Sequence, residues 1–165
     1  MMVTARDLME TEVLTVSPDL ALSDLEEVLL RKRVQGAPVV EDGRLVGIIS
    51  RSDVVRQLKL EEERIAESAF YFEPFDADRR DADEDRRVMQ AAAGRLATLR
   101  VRDMMVPDIE TIGPEVSVED VARRMLDRRI HRLLVTEGDT LLGLVSSLDL
   151  VELIASGRAR FEEKT

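Results

Sequence analysis

The 165-residue sequence contains no cysteine and no tryptophan, one histidine, one tyrosine and four phenylalanines. Without cysteine, disulfides and thiolate metal sites are excluded. With a single histidine, no Ser/His/Asp set or metal-ligand cluster stands out, and no glycine-rich phosphate loop is present, so no enzyme is expected. No apolar run approaches the ~20 residues of a membrane-spanning helix. The opening "MMVTARDLME" lacks a basic start followed by an apolar stretch, so it does not read as a secretory signal, and a cytoplasmic location is expected. Lysine occurs only at 32, 59 and 164, so the positive charge is almost all arginine. The 34 acids against 24 bases leave a net charge of −10. Duplex nucleic acid binders draw most of their affinity from neutralising phosphates, so nucleic acid is not an expected partner.

What is present is a repeat. Residues 6–55 lie on 102–151 at a constant offset of 96, without a gap, and 15 of the 50 positions are identical. Identical pairs include Asp7/Asp103, Met9/Met105, Thr15/Thr111, Pro18/Pro114, Val39/Val135, Leu45/Leu141, Gly47/Gly143, Ser50/Ser146 and Asp53/Asp149. Hydrophobic residues make up 44 % of the chain, enough for a core. One repeat of about 50 residues buries little core alone, whereas two can cover each other's apolar faces.

Each repeat reads as strand, helix, strand, strand, helix, an α/β pattern. "VLTV" (13–16) and "IETI" (109–112) are short extended pieces. Leu22, Leu25, Leu29 and Leu30, and in the second repeat Val118, Val121, Met125 and Leu126, recur at helical spacing. Ser117 with Asp120 forms a helix N-cap signal, which the first repeat lacks because Ala21 takes the serine's place. "APVVE" (37–41) and "LVGIIS" (45–50) flank Asp42-Gly43, and "LLVTE" (133–137) and "LLGLVS" (141–146) flank Gly138-Asp139, so both pairs read as hairpins. The expected division is repeat 1 over 1–60, a helical and acidic connector over 61–98, repeat 2 over 99–157 and a tail over 158–165. In the connector, "EPFDADRRDADEDRR" (73–87) reads as a solvated acidic loop rather than a metal site. The aromatic cluster Phe70, Tyr71, Phe72 and Phe75 reads as packing, onto a repeat or a second subunit.

The motif Gly-x-x-Ser-x-x-Asp falls at 47–53 and again at 143–149. Two readings fit it. A serine at a helix start with an acid three residues on is a capping box. Equally, a helix N-terminus offers free N–H groups, a carboxylate beside it accepts hydrogen bonds from a sugar diol, and the glycine permits close backbone approach.

These motifs resemble the cystathionine β-synthase (CBS) domain. "ARDLM" and "VRDMM" resemble its opening motif, "TVSPDLAL" and "TIGPEVSV" its Thr-x-x-Pro segment, and "GAPVVEDGRLVGIIS" its central hairpin. The resemblance covers about 100 residues, both repeats, and leaves out the connector and the tail. It implies two CBS repeats (β-α-β-β-α each) packed by pseudo-twofold symmetry as a Bateman module. Such modules bind adenosine-containing ligands in clefts between repeats: AMP, ADP, ATP, NAD or S-adenosylmethionine.

Carried over by position, the resemblance implies that Asp53 and Asp149 hold ribose hydroxyls, with Ser50 and Ser146 near ribose or phosphate. Thr15 is expected to serve the Ser146/Asp149 end and Thr111 the Ser50/Asp53 end. The backbone near Val13, Ala37, Ile109 and Leu133 would line the adenine. His131-Arg132 resembles the phosphate-contacting pair of the AMP-activated protein kinase γ-subunit, although basic residues also suit a helix C-terminus. The first repeat has Gln35-Gly36 there, and Arg51 is the candidate to compensate, so the Asp149 side is expected to hold phosphate more firmly. The expected whole is a stand-alone regulatory protein, a homodimer of four CBS units. It would signal by a conformational shift to a separate, unidentified effector protein. The rival from another class is a ligand-free interaction module in which both Ser/Asp pairs are only caps.

Overall fold

A computed structural model describes residues 3–56, 94 and 98–158. The expectations for the connector over 61–93, its aromatic cluster, and the tail from 159 lie outside the described residues. The elements are α1 (Ala5–Leu8), α2 (Leu22–Lys32), β1 (Gly36–Glu41), β2 (Arg44–Ser50), α3 (helical over 51–56), a 3-10 turn (Val101–Asp103), β3 (Thr111–Ile112), α4 (Val118–Arg128), β4 (Arg132–Glu137), β5 (Thr140–Ser146) and α5 (Ser147–Ala155). The fold is mixed α/β, with strands and helices in both repeats, as expected.

Two compact units result, and neither is one sequence repeat. Of the described residues, the first unit takes 3–14, 41–46 and 108–158, and the second takes 15–40, 47–56, 94 and 98–107. The lead-in segment of each repeat therefore packs with the body of the other. In the first unit, Ala5 N–H donates to Val116 O (2.8 Å), Arg6 N–H to Pro114 O (2.9 Å), and Val118 N–H to Val3 O (3.1 Å). In the second unit, Val101 donates to Leu20 O (2.9 Å), Arg102 to Pro18 O (2.9 Å), and Leu22 to Leu99 O (3.1 Å). Every bond repeats at the offset of 96. So does the ion pair that flanks it: Arg6–Glu115 at 2.9 Å and Arg102–Asp19 at 2.6 Å. Each lead-in turn is capped by its own aspartate, which accepts from Thr4 N–H (2.9 Å) in one and from Arg100 N–H (2.8 Å) in the other.

The buried apolar residues follow the same arithmetic. Ala5, Ile112, Val118, Val121, Met125, Leu133, Val135 and Val145 are buried in the first unit. Val101, Val16, Leu22, Leu25, Leu29, Ala37, Val39 and Ile49 are their buried equivalents in the second. The helical face is narrower than the leucine pattern predicts. Leu30 is 54 % exposed and Leu126 78 % exposed, so the fourth apolar position of each stripe faces outward.

The first strand of each repeat is shorter than expected, and the two differ. β3 pairs in parallel with β4 through Thr111↔Leu134 and Ile112↔Val135. In the first repeat only Val16 bridges, to Val39. Leu134 is replaced there by Pro38, whose nitrogen has no hydrogen to extend the ladder toward Leu14. The hairpins form as read. Asp42 and Gly43 both have positive φ (50° and 79°), the type I′ pattern. In the second turn only Gly138 does (60°), the type II′ pattern.

Candidate functional site

In the first unit, β5 runs into α5 at Ser146. Ser146 N–H and Oγ both donate to Asp149 Oδ2, at 2.6 and 2.7 Å, and Asp149 N–H reaches back to Ser146 Oγ at 3.4 Å. This is a complete capping box. It uses one carboxylate oxygen. Among the described residues, no hydrogen bond or ion pair engages Asp149 Oδ1.

Sheet register brings the basic pair to the same place. Arg132, the first residue of β4, is paired across the ladder with Ser146. His131 O accepts from Ser147 N–H at 2.9 Å, which pins the start of α5 to the start of β4. His131 and Arg132 are exposed, and among the described residues neither side chain has a hydrogen-bonded or ionic partner. Half-buried Thr111, which starts β3, and half-buried Ile109 belong to this unit, as do Val13 and the buried Leu133.

In the second unit, Ser50 N–H and Oγ donate to Asp53 Oδ2 at 2.9 and 2.6 Å. Arg51 N–H donates to Gln35 O at 2.9 Å, matching the Ser147–His131 bond. Arg51 is turned toward Glu26 (3.5 Å), and Arg56 stands 4.0 Å from Asp53 Oδ1. Exposed Thr15 and buried Ala37 belong to this unit.

The repeated glycine has a role different from the one read in the sequence. A Cβ on Gly143 would lie 2.7 Å from Glu10 O and 2.9 Å from Met9 Cγ and Sδ. One on Gly47 would lie 2.8 Å from Met105 Sδ. The space belongs to the lead-in segment, not to a ligand. Glu10 and Leu144 exchange backbone bonds of 2.9 and 3.0 Å there, as do Val106 and Ile48 (2.9 and 3.0 Å). Aligning "ARDLM" and "VRDMM" gave the pair Met9/Met105, but nothing in their spacing from the glycines showed that each faces the other repeat.

Among the described residues, no helix is long and apolar enough to cross a membrane, and no group of three or more His, Asp or Glu is placed to hold a metal ion.

The CBS domain profile matches residues 5–60 and 101–156, and the chain belongs to the CBS domain family. It is 30 % identical over 154 residues to the uncharacterized protein MJ1426 of Methanocaldococcus jannaschii, covering 90 % of this chain and 89 % of that one. Longer relatives exist: the chain spans 42 % of MJ1225 from the same archaeon. The fold is similar to a crystal structure of CBSX2 in complex with AMP (TM-score 0.67, 23 % identity), covering 94 % of this chain and 98 % of that one. It is also similar to the CBS domain pair of MJ0100 in complex with 5′-methylthioadenosine and S-adenosyl-L-methionine (TM-score 0.61, 17 % identity), covering 95 % and 99 %.

Proposed function

We propose that this chain is a cytoplasmic regulatory sensor of an adenine nucleotide (AMP, ADP or ATP) with no catalytic step of its own. The Ser146 junction carries the reading. One unit gathers a helix N-terminus, a carboxylate and, at the adjoining strand start, an arginine and a histidine; among the described residues one carboxylate oxygen and both basic side chains have no partner. Asp149 Oδ1 suits a donating ribose hydroxyl. The Arg132 fork suits two phosphate oxygens, with His131 beside it, and the helix N-terminus favours the same negative charge. This unit also holds Thr111, expected at the Ser50/Asp53 end, along with Val13 and the backbone of Ile109 and Leu133 as proposed lining. Thr15, Ala37, Ser50, Arg51 and Asp53 are the proposed counterparts on the second. The AMP-bound CBSX2 neighbour supports the ligand class.

A ligand that binds one conformation better shifts the population toward it, and a separate effector protein that prefers that conformation then reads the ligand. A second copy of the chain is the proposed cover for the exposed apolar residues of α4 and α5: Leu126, Leu148, Val151 and Ile154, which are 78, 71, 58 and 56 % exposed. Sedimentation of wild type and Leu148→Glu tests this, with a dimer expected to become a monomer.

Two alternatives have an observation behind them. The MJ0100 complex favours S-adenosylmethionine or a related adenosyl ligand, and NAD belongs with this group. Each aspartate already accepts from the N–H and hydroxyl of its own serine, which is what a pure interaction module requires. Calorimetric titration of AMP, ADP, ATP, NAD and S-adenosylmethionine, after a 260 nm check for carried-over nucleotide, separates them. The sensor reading expects saturable binding that Asp149→Ala abolishes at one site. No binding by any ligand, with no nucleotide carried over, returns both aspartates to capping alone.

A further inference from the structure

The two junctions share a cap but not a charge pattern. At the place of Arg132 the second unit has Gly36, where a Cβ would lie 2.6 Å from Ile49 O and 3.2 Å from Ser50 Cα. The strands approach too closely there for any side chain, so a cation at that ladder position is excluded sterically. Arg56 stands beside Asp53 Oδ1 at 4.0 Å, so among the described residues the cation left for a phosphate at the Ser50 junction is Arg51, the first residue of α3. Its Nη2 stands 3.5 Å from Glu26 Oε1, an acid on α2. At the offset of 96, Glu26 corresponds to Ala122 and Arg51 to Ser147, so this ion pair belongs to one junction only.

We infer that Glu26 is a specificity-determining positioning residue: by holding Arg51, it makes the Ser50 junction favour an adenosyl ligand that lacks phosphate, while the Ser146 junction takes a phosphorylated one. The inference rests on reading both junctions as adenosyl sites. Glu26 acts by occupying the guanidinium that a phosphate would need. The pair is open to solvent, with side chains 38 % and 58 % exposed, so its effect is a few-fold in affinity rather than orders of magnitude.

The test uses the full-length chain with Asp149→Ala to silence the Ser146 junction. AMP and neutral 5′-methylthioadenosine are titrated into this background, and again after Glu26→Gln, Arg51→Ala, or both. Gln keeps the size and helix propensity of Glu, and melting curves confirm that each variant is folded. The expected result is tighter binding of 5′-methylthioadenosine than of AMP. Glu26→Gln then raises AMP affinity roughly two- to fivefold and leaves 5′-methylthioadenosine unchanged. With Arg51→Ala already in place, Glu26→Gln has no further effect. If AMP binds but Glu26→Gln moves both ligands equally or neither, Glu26 does not set specificity, and the sensor reading survives. If the AMP gain persists without Arg51, Glu26 does not act through it. If neither compound binds even the wild-type chain, the sensor reading falls and this inference falls with it.

Discussion

Replacing Gly143 by alanine tests whether the repeated glycine exists to admit the lead-in segment. Neither Gly143 nor Gly47 has positive φ, so alanine is conformationally acceptable at both. Taken alone, fewer unfolded conformations would stabilise each variant by about 0.4–1 kcal/mol. At Gly143 the new methyl meets Glu10 O at 2.7 Å, a backbone atom held by hydrogen bonds of 2.9 and 3.0 Å between Glu10 and Leu144. Relief requires moving a backbone bridge, so overpacking of about 1–3 kcal/mol adds to strain on two bonds worth about 0.5–1.5 kcal/mol each. At Gly47 the nearest atoms are Met105 Sδ, Cγ and Cβ, at 2.8, 3.0 and 3.2 Å. A methionine side chain can turn away for about 0.5–1.5 kcal/mol. Gly143→Ala should therefore destabilise by about 1–3 kcal/mol net and Gly47→Ala by no more than about 1 kcal/mol. Urea denaturation reads both as a lower midpoint at unchanged slope. In double-mutant cycles, Met105→Ala should absorb most of the Gly47→Ala penalty, whereas Met9→Ala should absorb only part of that of Gly143→Ala. Equal penalties at the two sites, or a stabilised Gly143→Ala, would refute the argument.

Three further outcomes are expected. Arg33 and Arg129 end their helices with φ of 55° and 53°, so Arg33→Gly and Arg129→Gly should each stabilise by about 0.5–1 kcal/mol in thermal melts. Ser146→Ala removes the hydroxyl from its capping box and should cost about 1 kcal/mol in the same assay. The Thr4 N–H and then its hydroxyl hold the Asp7 carboxyl below its usual 3.8. Because the folded value is the lower one, this contribution is whole above the unfolded value and fades as pH falls through the folded one. Melts of wild type and Asp7→Asn should therefore differ near neutrality and converge in acid.

Much of the fold was legible because duplication marks equivalent positions twice. Turn pairs predicted both hairpins, Ser117 with Asp120 a cap and Ala21 its absence, and the offset of 96 pairs eight buried residues of one unit with eight of the other. The failures have physical causes. Leu30 and Leu126 have helical spacing, yet they are 54 % and 78 % exposed, and apolarity alone does not say which edge of a stripe faces outward. The first strand shrank to the Val16–Val39 bridge because Pro38 lacks a hydrogen, a consequence readable from the proline once the ladder direction is known. At the candidate site, Ser, Asp, His and Arg were proposed from pattern. The Glu26–Arg51 pair was not, because residues 25 apart on different elements leave no local signature.

The deepest gap concerns which segment completes which core. Ala5 and Val101 are each fully buried and occupy equivalent positions, so either would satisfy the pattern of either unit. Periodicity identifies the two residues as equivalent; it says nothing about which unit each fills. The answer is given by backbone bonds such as Ala5 to Val116 O and Val101 to Leu20 O, long-range contacts that no spacing rule encodes. This exchange also explains what the repeated motif holds constant and what it releases. The glycine is constrained by the arriving segment, and the Ser/Asp pair by the helix it caps. Of the positions between and across from them, 35/131, 51/147 and 26/122 carry no such constraint, and at 36/132 only Gly36 is held, by the close approach of Ile49 O. Those are the positions where the two halves differ in charge, so one architecture can present at one junction an arginine that has no partner among the described residues and at the other one paired with Glu26.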